Sequence, residues 1–475
     1  MKERVYNLSG INLKVQPMLH QPGDLIRSVN VETFPIGAKR KRPGYSTYLG
    51  TMPNGSAVQG LFSWQRNNGT QFWNYAFAGG LLYYSTQGTG AWTITGNGTW
   101  NAGGTVTNAV GWDNGTVGTT DVLFVADGVG TIRHSSSGTN FVDTSGAPGA
   151  AVALSEFDGR IYAAGTNSYL FWSNFATVTD WTNDSTSVLL PGPGKPSSAF
   201  KSANKLVIGK NSGAMFTWDG LNLNDLATKL GPTSQQSVGE VEDYRIYLNR
   251  LGFYGFGGAK PELLSNAIER QIYNDVGEGI IGTTFDNAPA TVHLNRYYCT
   301  IGTVTDDLTD ETISDAIAVY DFQLNDWWNY SFANRPTAWL SYKDASGVQQ
   351  LIFGAGNQCH TLSGTSTSDN GSTIESITEG VIHLSSPESN KDWKYMWAQA
   401  NPGCEGQLQI ALSDTFTKAK KTWVTLGQFV DGVAEYRFPS GSSSKLLFWK
   451  FAEASINARF NLYGFTIDAD IIDRT

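Results

Sequence analysis

The stretch "AVALSEFDGRIYAAGTNSYLFWSNFATVTDWTND", Ala151 to Asp184, decides the fold class of this chain. A short apolar strand meets the turn Asp158-Gly159, and a second strand runs to Gly165. An aromatic strand follows, and the stretch closes on Trp181. Arg160-Ile161-Tyr162-Ala163-Ala164 alternates with period two, which predicts a sheet with one buried and one less buried face. The small residues Ala163, Ala164 and Gly165 suit the crowded inner strand of a radial sheet.

Working outward, the same order of strand, turn, strand, Gly and aromatic strand fills Val58 to Thr95. It recurs with a degraded third strand in Thr107 to Thr144, and in shorter form in Ser198 to Gly220 and Ser237 to Gly258. It returns in "TVHLNRYYCTIGTV" with "AIAVYDFQLNDWWNYSF", and in "AWLSYKDASGVQQLIFGAGNQCHTLSG". One such sheet cannot cover its own apolar face in water, whereas units stacked around an axis cover one another. The expectation is an all-β chain, with a β-propeller of six or seven blades over residues 51–362.

After the linker "SGTSTSDNGST" (363–373), strands such as "YMWAQAN" and "KLLFWKFAEAS" predict a C-terminal β-sandwich over residues 374–475. Residues 1–50 repeat neither pattern and are expected to be a separate packing segment or the closing strand of the propeller. One short helix is expected in "PELLSNAIERQIYNDVGEG", capped by Ser265 and packed through Ile268 and Ile272.

Composition supports this reading and excludes others. Of 475 residues, 12% are aromatic, 16% are charged and 53 are glycine, a balance that suits short strands joined by tight turns. Cys299, Cys359 and Cys404 are too few and too far apart for a disulfide framework or a zinc motif, and read as buried thiols. The N-terminus lacks the apolar run of a signal peptide, and no segment approaches the roughly 18 apolar residues of a membrane span. Synthesis in a cytosol is therefore expected. The histidines His20, His134, His293, His360 and His383 are scattered, with no HExxH pattern. "LLPGPGKPS" superficially resembles a phosphate loop, but Pro191 and Pro193 remove N–H donors that would cradle phosphate. No enzymatic activity, metal or cofactor is expected.

Two charged stretches remain. Lys39, Arg40, Lys41 and Arg42 stand in a chain of net charge -9, unaccompanied by a second basic cluster or an aromatic platform. They predict a charged turn that docks on an acidic partner or a neighbouring subunit. Asp306, Asp307, Asp310, Glu311 and Asp315 are hard oxygen ligands without EF-hand spacing, and predict a solvated hairpin tip.

In "NLSGINLKVQPM", "GDLIRSVNVE" and "GAKRKRPGY", then "LLSNAIERQIYND", "RYYCTIGTV" and "AIAVYDFQLNDWWNY", the chain resembles the tail-hub or nozzle (packaged-DNA stabilisation) proteins of short-tailed bacteriophages. The resemblance covers about residues 5–335, and Arg42-Pro43-Gly44-Tyr45 looks like its signature. It implies a structural virion protein made in the host cytoplasm, a homo-oligomeric ring expected to be a hexamer. The ring would sit below the portal and adaptor among other tail proteins. Packaged DNA would pass through it without sequence-specific contact, and no membrane insertion is implied. The acidic loop would then face the lumen or a subunit interface. A receptor-binding or decoration propeller that stacks sugars on exposed Trp and Tyr is the alternative, and a sialidase-like hydrolase stands behind it.

Overall fold

The computed structural model describes residues 1–472 except 15–19, 67–70, 87, 102–107, 113–120, 166, 176, 183–186, 273–287, 306–311, 385–386, 416–420 and 456–459. The chain is all-β and contains a β-propeller arrangement with six free-standing four-stranded blades. Five follow in chain order across residues 58–99, 108–143, 151–189, 196–225 and 239–263. The closing blade combines residues 338–362 with the N-terminal strand Tyr45–Thr51. Between the fifth and closing blades, the ring is completed by residues 290–331, the four strands that begin a nine-stranded sheet.

In the third blade, Ala151–Phe157, Arg160–Gly165, Tyr169–Trp172 and Ser187–Leu189 form an antiparallel meander. Its first turn places Asp158 at φ 48° and Gly159 at φ 69°, the left-handed pair that a tight hairpin requires. The expected division into a buried and a less buried face does not hold, because both faces are buried. Ile161 and Ala163 enter a core shared with Val122 and Phe124 of the second blade. Tyr162 and Ala164 enter another, shared with Leu206, Ile208 and Phe216 of the fourth. Alternation here separates two inter-blade cores instead of core from solvent. The alanines accordingly lie on the second strand of the blade, not the innermost, which is Ala151–Phe157.

The closing blade is zipped by pairing of Tyr45–Thr51 with Gln358–Leu362, in register Leu362 to Tyr45 and His360 to Thr47. Tyr45 is buried with ring centroids 5.3 Å from Phe332, 5.2 Å from Phe353 and 4.9 Å from His360.

The nine-stranded sheet carries the propeller into a second body. Its fourth strand, Asp326–Ser331, meets Leu25–Val29 through a parallel pairing of Val29 with Asn329. Ser376–Ile382, Leu446–Glu453, Gln407–Ser413 and Val424–Gln428 follow in that order. A seven-stranded sheet joins Lys2–Val5, Val31–Thr33 and Lys39–Lys41 to four strands from residues 390–472. Val5, Val31, Trp393 and Phe465 of this sheet share one core with Leu25, Leu408, Trp449 and Phe451 of the other. The first fifty residues are thus divided between the two bodies.

The expected helix is a 3-10 turn, Ser265–Ile268, running into Glu269–Ile272, with Ile268 and Ile272 buried. Ser265 does not cap it: its hydroxyl accepts from the Phe253 N–H at 3.0 Å, and Leu264 holds the cap position.

Tyr45→Ala removes the ring that anchors the closing strand. It is expected to lower stability by about 3–5 kcal/mol in urea titration, the range for a large buried ring cut to alanine.

Candidate functional site

The basic run is not a solvated turn. Lys39, Lys41 and Arg42 are wholly buried, at 0% exposure each. Lys39–Lys41 is a strand paired with Val31–Thr33, which sets Glu32 opposite Arg40. The Arg40 Nε donates to Glu32 Oε1 at 2.9 Å, and its guanidinium lies 4.0 Å from the Phe34 ring centroid. Glu32 also takes Arg296 Nη1 at 2.6 Å and the Tyr330 hydroxyl at 3.1 Å, so one carboxylate ties this hairpin to the propeller. Lys41 Nζ pairs with Glu453 at 2.9 Å. Arg42 donates to Asp369 Oδ1 at 2.7 Å, to Asn30 Oδ1 at 2.7 Å and to the Ser331 carbonyl at 3.0 Å. Such charges leave water only where carboxylates neutralise them, so Lys41 and Arg42 are internal fasteners closed to a partner, while Arg40 is held by Glu32 with part of its side chain at the surface.

Lys39 is the exception within the run. Its Nζ donates to Thr33 Oγ1 at 2.6 Å, while burial pushes its pKa down to about 8 against the pull of Asp326 and Glu32.

Of the acidic group, Asp306, Asp307, Asp310 and Glu311 lie outside the described residues. Asp315 lies in the strand Thr312–Asp321 at φ 49°, beside a register shift around Gly302, a left-handed position that Asp tolerates. Among the described residues, no group of three or more His, Cys, Asp or Glu is placed to hold a metal ion. The three thiols are buried and unbridged, and burial raises the pKa of Cys299 and Cys359 to about 12 and of Cys404 to about 11.

The phosphate-loop lookalike joins the third blade to the fourth. Buried Lys210 donates from Nζ to the carbonyls of Leu190 (3.2 Å), Pro191 (3.1 Å) and Gly192 (2.6 Å). The loop turns carbonyl oxygens inward toward a cation, the opposite polarity to a phosphate cradle.

A site that sequence reasoning missed lies along the propeller axis. A cleft of about 390 Å³ is walled by the first strands of four consecutive ring positions: the first blade, the fifth blade, the nine-stranded section and the closing blade. A smaller cavity of about 170 Å³ continues from it past Val238 and Ala290. The larger cleft is lined by Ser63, Gln65, Thr291, Ser341, Lys343 and Gln349, with Trp64, Phe72 and Tyr342 behind them. Glu240 also lines it, and is held at 2.8 Å by Arg245. His293 Nδ1 lies 3.0 Å from Ser341 Oγ, and burial, then Arg296, pushes its pKa down to about 4. The imidazole is therefore neutral at pH 7 and orients the Ser341 hydroxyl. No local spacing signals this pair, because His293 and Ser341 belong to different sheets.

No family model and no curated protein matches the chain. Among solved structures, it is similar to the computationally designed Ika8 protein, with 12% identity and a TM-score of 0.41 over 67% of this chain and 99% of that one. It is likewise similar to a chain of the mitotic checkpoint complex, with 11% identity and a TM-score of 0.41 over 68% and 93% of the two chains. These likenesses carry no functional argument.

Replacing Lys39 and replacing Glu32 should have opposite effects. The folded pKa of Lys39, about 8, lies below its ordinary value of 10.5, so the unfolded chain binds the extra proton and stability rises between those two pH values. Lys39→Met is expected to flatten that rise and to be neutral or stabilising at pH 7. Glu32→Gln strands the buried side of two guanidinium groups and should lower stability by about 3–5 kcal/mol. Chemical denaturation from pH 7 to 11 reads both.

Proposed function

We propose that this chain is a structural subunit of a short-tailed bacteriophage tail, a hub or nozzle protein without enzymatic activity. In this reading six copies close into a ring below the portal and adaptor, in contact with other tail proteins. Packaged DNA is retained by the ring and leaves through its lumen. The two C-terminal sheets are read as a β-sandwich fused to the propeller.

The observation that carries the proposal is the continuity of the two bodies. A nine-stranded sheet runs from the propeller into the second body, the pair Arg296–Glu32 joins the propeller to the hairpin of the seven-stranded sheet, and buried Arg42–Asp369 ties together the segments that enter and leave the closing blade. A subunit that must resist the pressure of packaged DNA needs such a stiff body, because a hinge at a short linker would let each part yield separately. The net charge of -9 supports the role as well, since an acidic wall repels the phosphate backbone and limits sticking. The alternative adhesin would stack sugars on exposed Trp and Tyr of the blade loops; among the described side chains no tryptophan is exposed, while Tyr169 of the third blade is.

Purified full-length chain, imaged by negative stain and weighed by mass photometry alone and with portal and adaptor, is expected to form closed rings of six. A strictly monomeric chain that binds neither component would overturn the proposal.

A further inference from the structure

We infer that the axial cleft of the propeller is a binding site for a neutral saccharide unit. Its volume of about 390 Å³ lies within the range of about 300–1,000 Å³ typical of small-molecule sites. The chemistry of its wall selects the class. Ser63, Thr291 and Ser341 offer hydroxyls, and Gln65 and Gln349 offer amides that donate and accept side by side. A sugar rim, where each hydroxyl both gives and takes a hydrogen bond, matches that mixture.

Charge argues against an ionic ligand. Among the described residues, the lining holds one ammonium, Lys343, and one carboxylate, Glu240, which Arg245 already engages at 2.8 Å. A phosphate or sialate would find a single cation, and a polyamine a single, occupied carboxylate. His293 adds no charge at neutral pH, because burial and Arg296 hold it in the neutral form.

Trp64, Phe72 and Tyr342 border the cleft but are buried in inter-blade cores, so recognition falls to the polar groups. The 3.0 Å contact of His293 with Ser341 fixes one hydroxyl before any ligand arrives, which reduces the ordering that binding requires. The site lies on the propeller axis, away from the buried seam on which the ring proposal rests, so either can fail without the other.

The test uses full-length protein with glucose, galactose and N-acetylglucosamine as probes, read by calorimetry and saturation-transfer NMR. Inorganic phosphate and N-acetylneuraminic acid serve as charged comparators. At least one neutral sugar is expected to bind saturably, and more tightly than either anion. Gln65→Ala combined with Lys343→Ala, both at exposed positions, should weaken it about tenfold or more, as expected for two lost hydrogen bonds. The thermal midpoint should be unchanged, and Lys201→Ala on the fourth blade should bind as the unaltered protein does. Failure of all three sugars to saturate, preference for an anion, or full binding by the double variant would each overturn the inference.

Discussion

A guanidinium keeps its charge at any pH a protein meets, so one that is wholly buried must have a carboxylate beside it. Arg42 is such a group, and Asp369 is its partner at 2.7 Å. This pair pins the strand that enters the closing blade to the segment that leaves it. Around it, Gly44 N–H donates to the Ser366 carbonyl at 2.9 Å, and Asn370 N–H donates to the Tyr45 carbonyl at 2.7 Å. A Cβ at position 44 would stand 2.1 Å from the Ser368 carbonyl oxygen, so only glycine lets the two segments approach. Arg42-Pro43-Gly44-Tyr45 therefore reads as charge anchor, fixed bend, close approach and core ring.

This seam is where both bodies draw on the N-terminal segment. Tyr45 begins the strand that closes the propeller, while Lys39–Lys41, just before it, is paired within the seven-stranded sheet. Neither body is completed by local sequence alone. The propeller needs an N-terminal strand, and the C-terminal sheets need Lys2–Val5, Leu25–Val29 and the hairpin that Glu32 and Arg40 brace. The proposed function rests on that interlock, and the axial cleft lies within the ring that it closes.

The blades were legible in the sequence because their grammar is local: glycine turns, short apolar strands and aromatic third strands. The burial of both blade faces was not, since Ala163 and Ala164 look alike until neighbouring sheets supply two different cores. The burial of the basic run is not legible in the sequence for a similar reason. Four adjacent cations look solvated unless carboxylates elsewhere are known to reach them, and Asp369 lies 327 residues from Arg42. His293 and Ser341 became a pair only once the ring set their strands side by side. Ser265 matched a cap pattern, yet the return of the chain to Phe253 took its hydroxyl first.

Hydrogen exchange on an Asp369→Asn variant tests the interlock most directly. If the buried pair couples the two bodies, amides of Tyr45–Thr51 in the closing blade and of Leu25–Val29 in the second body lose protection together. Loss confined to Tyr45–Thr51, with Leu25–Val29 as protected as before, would contradict the account.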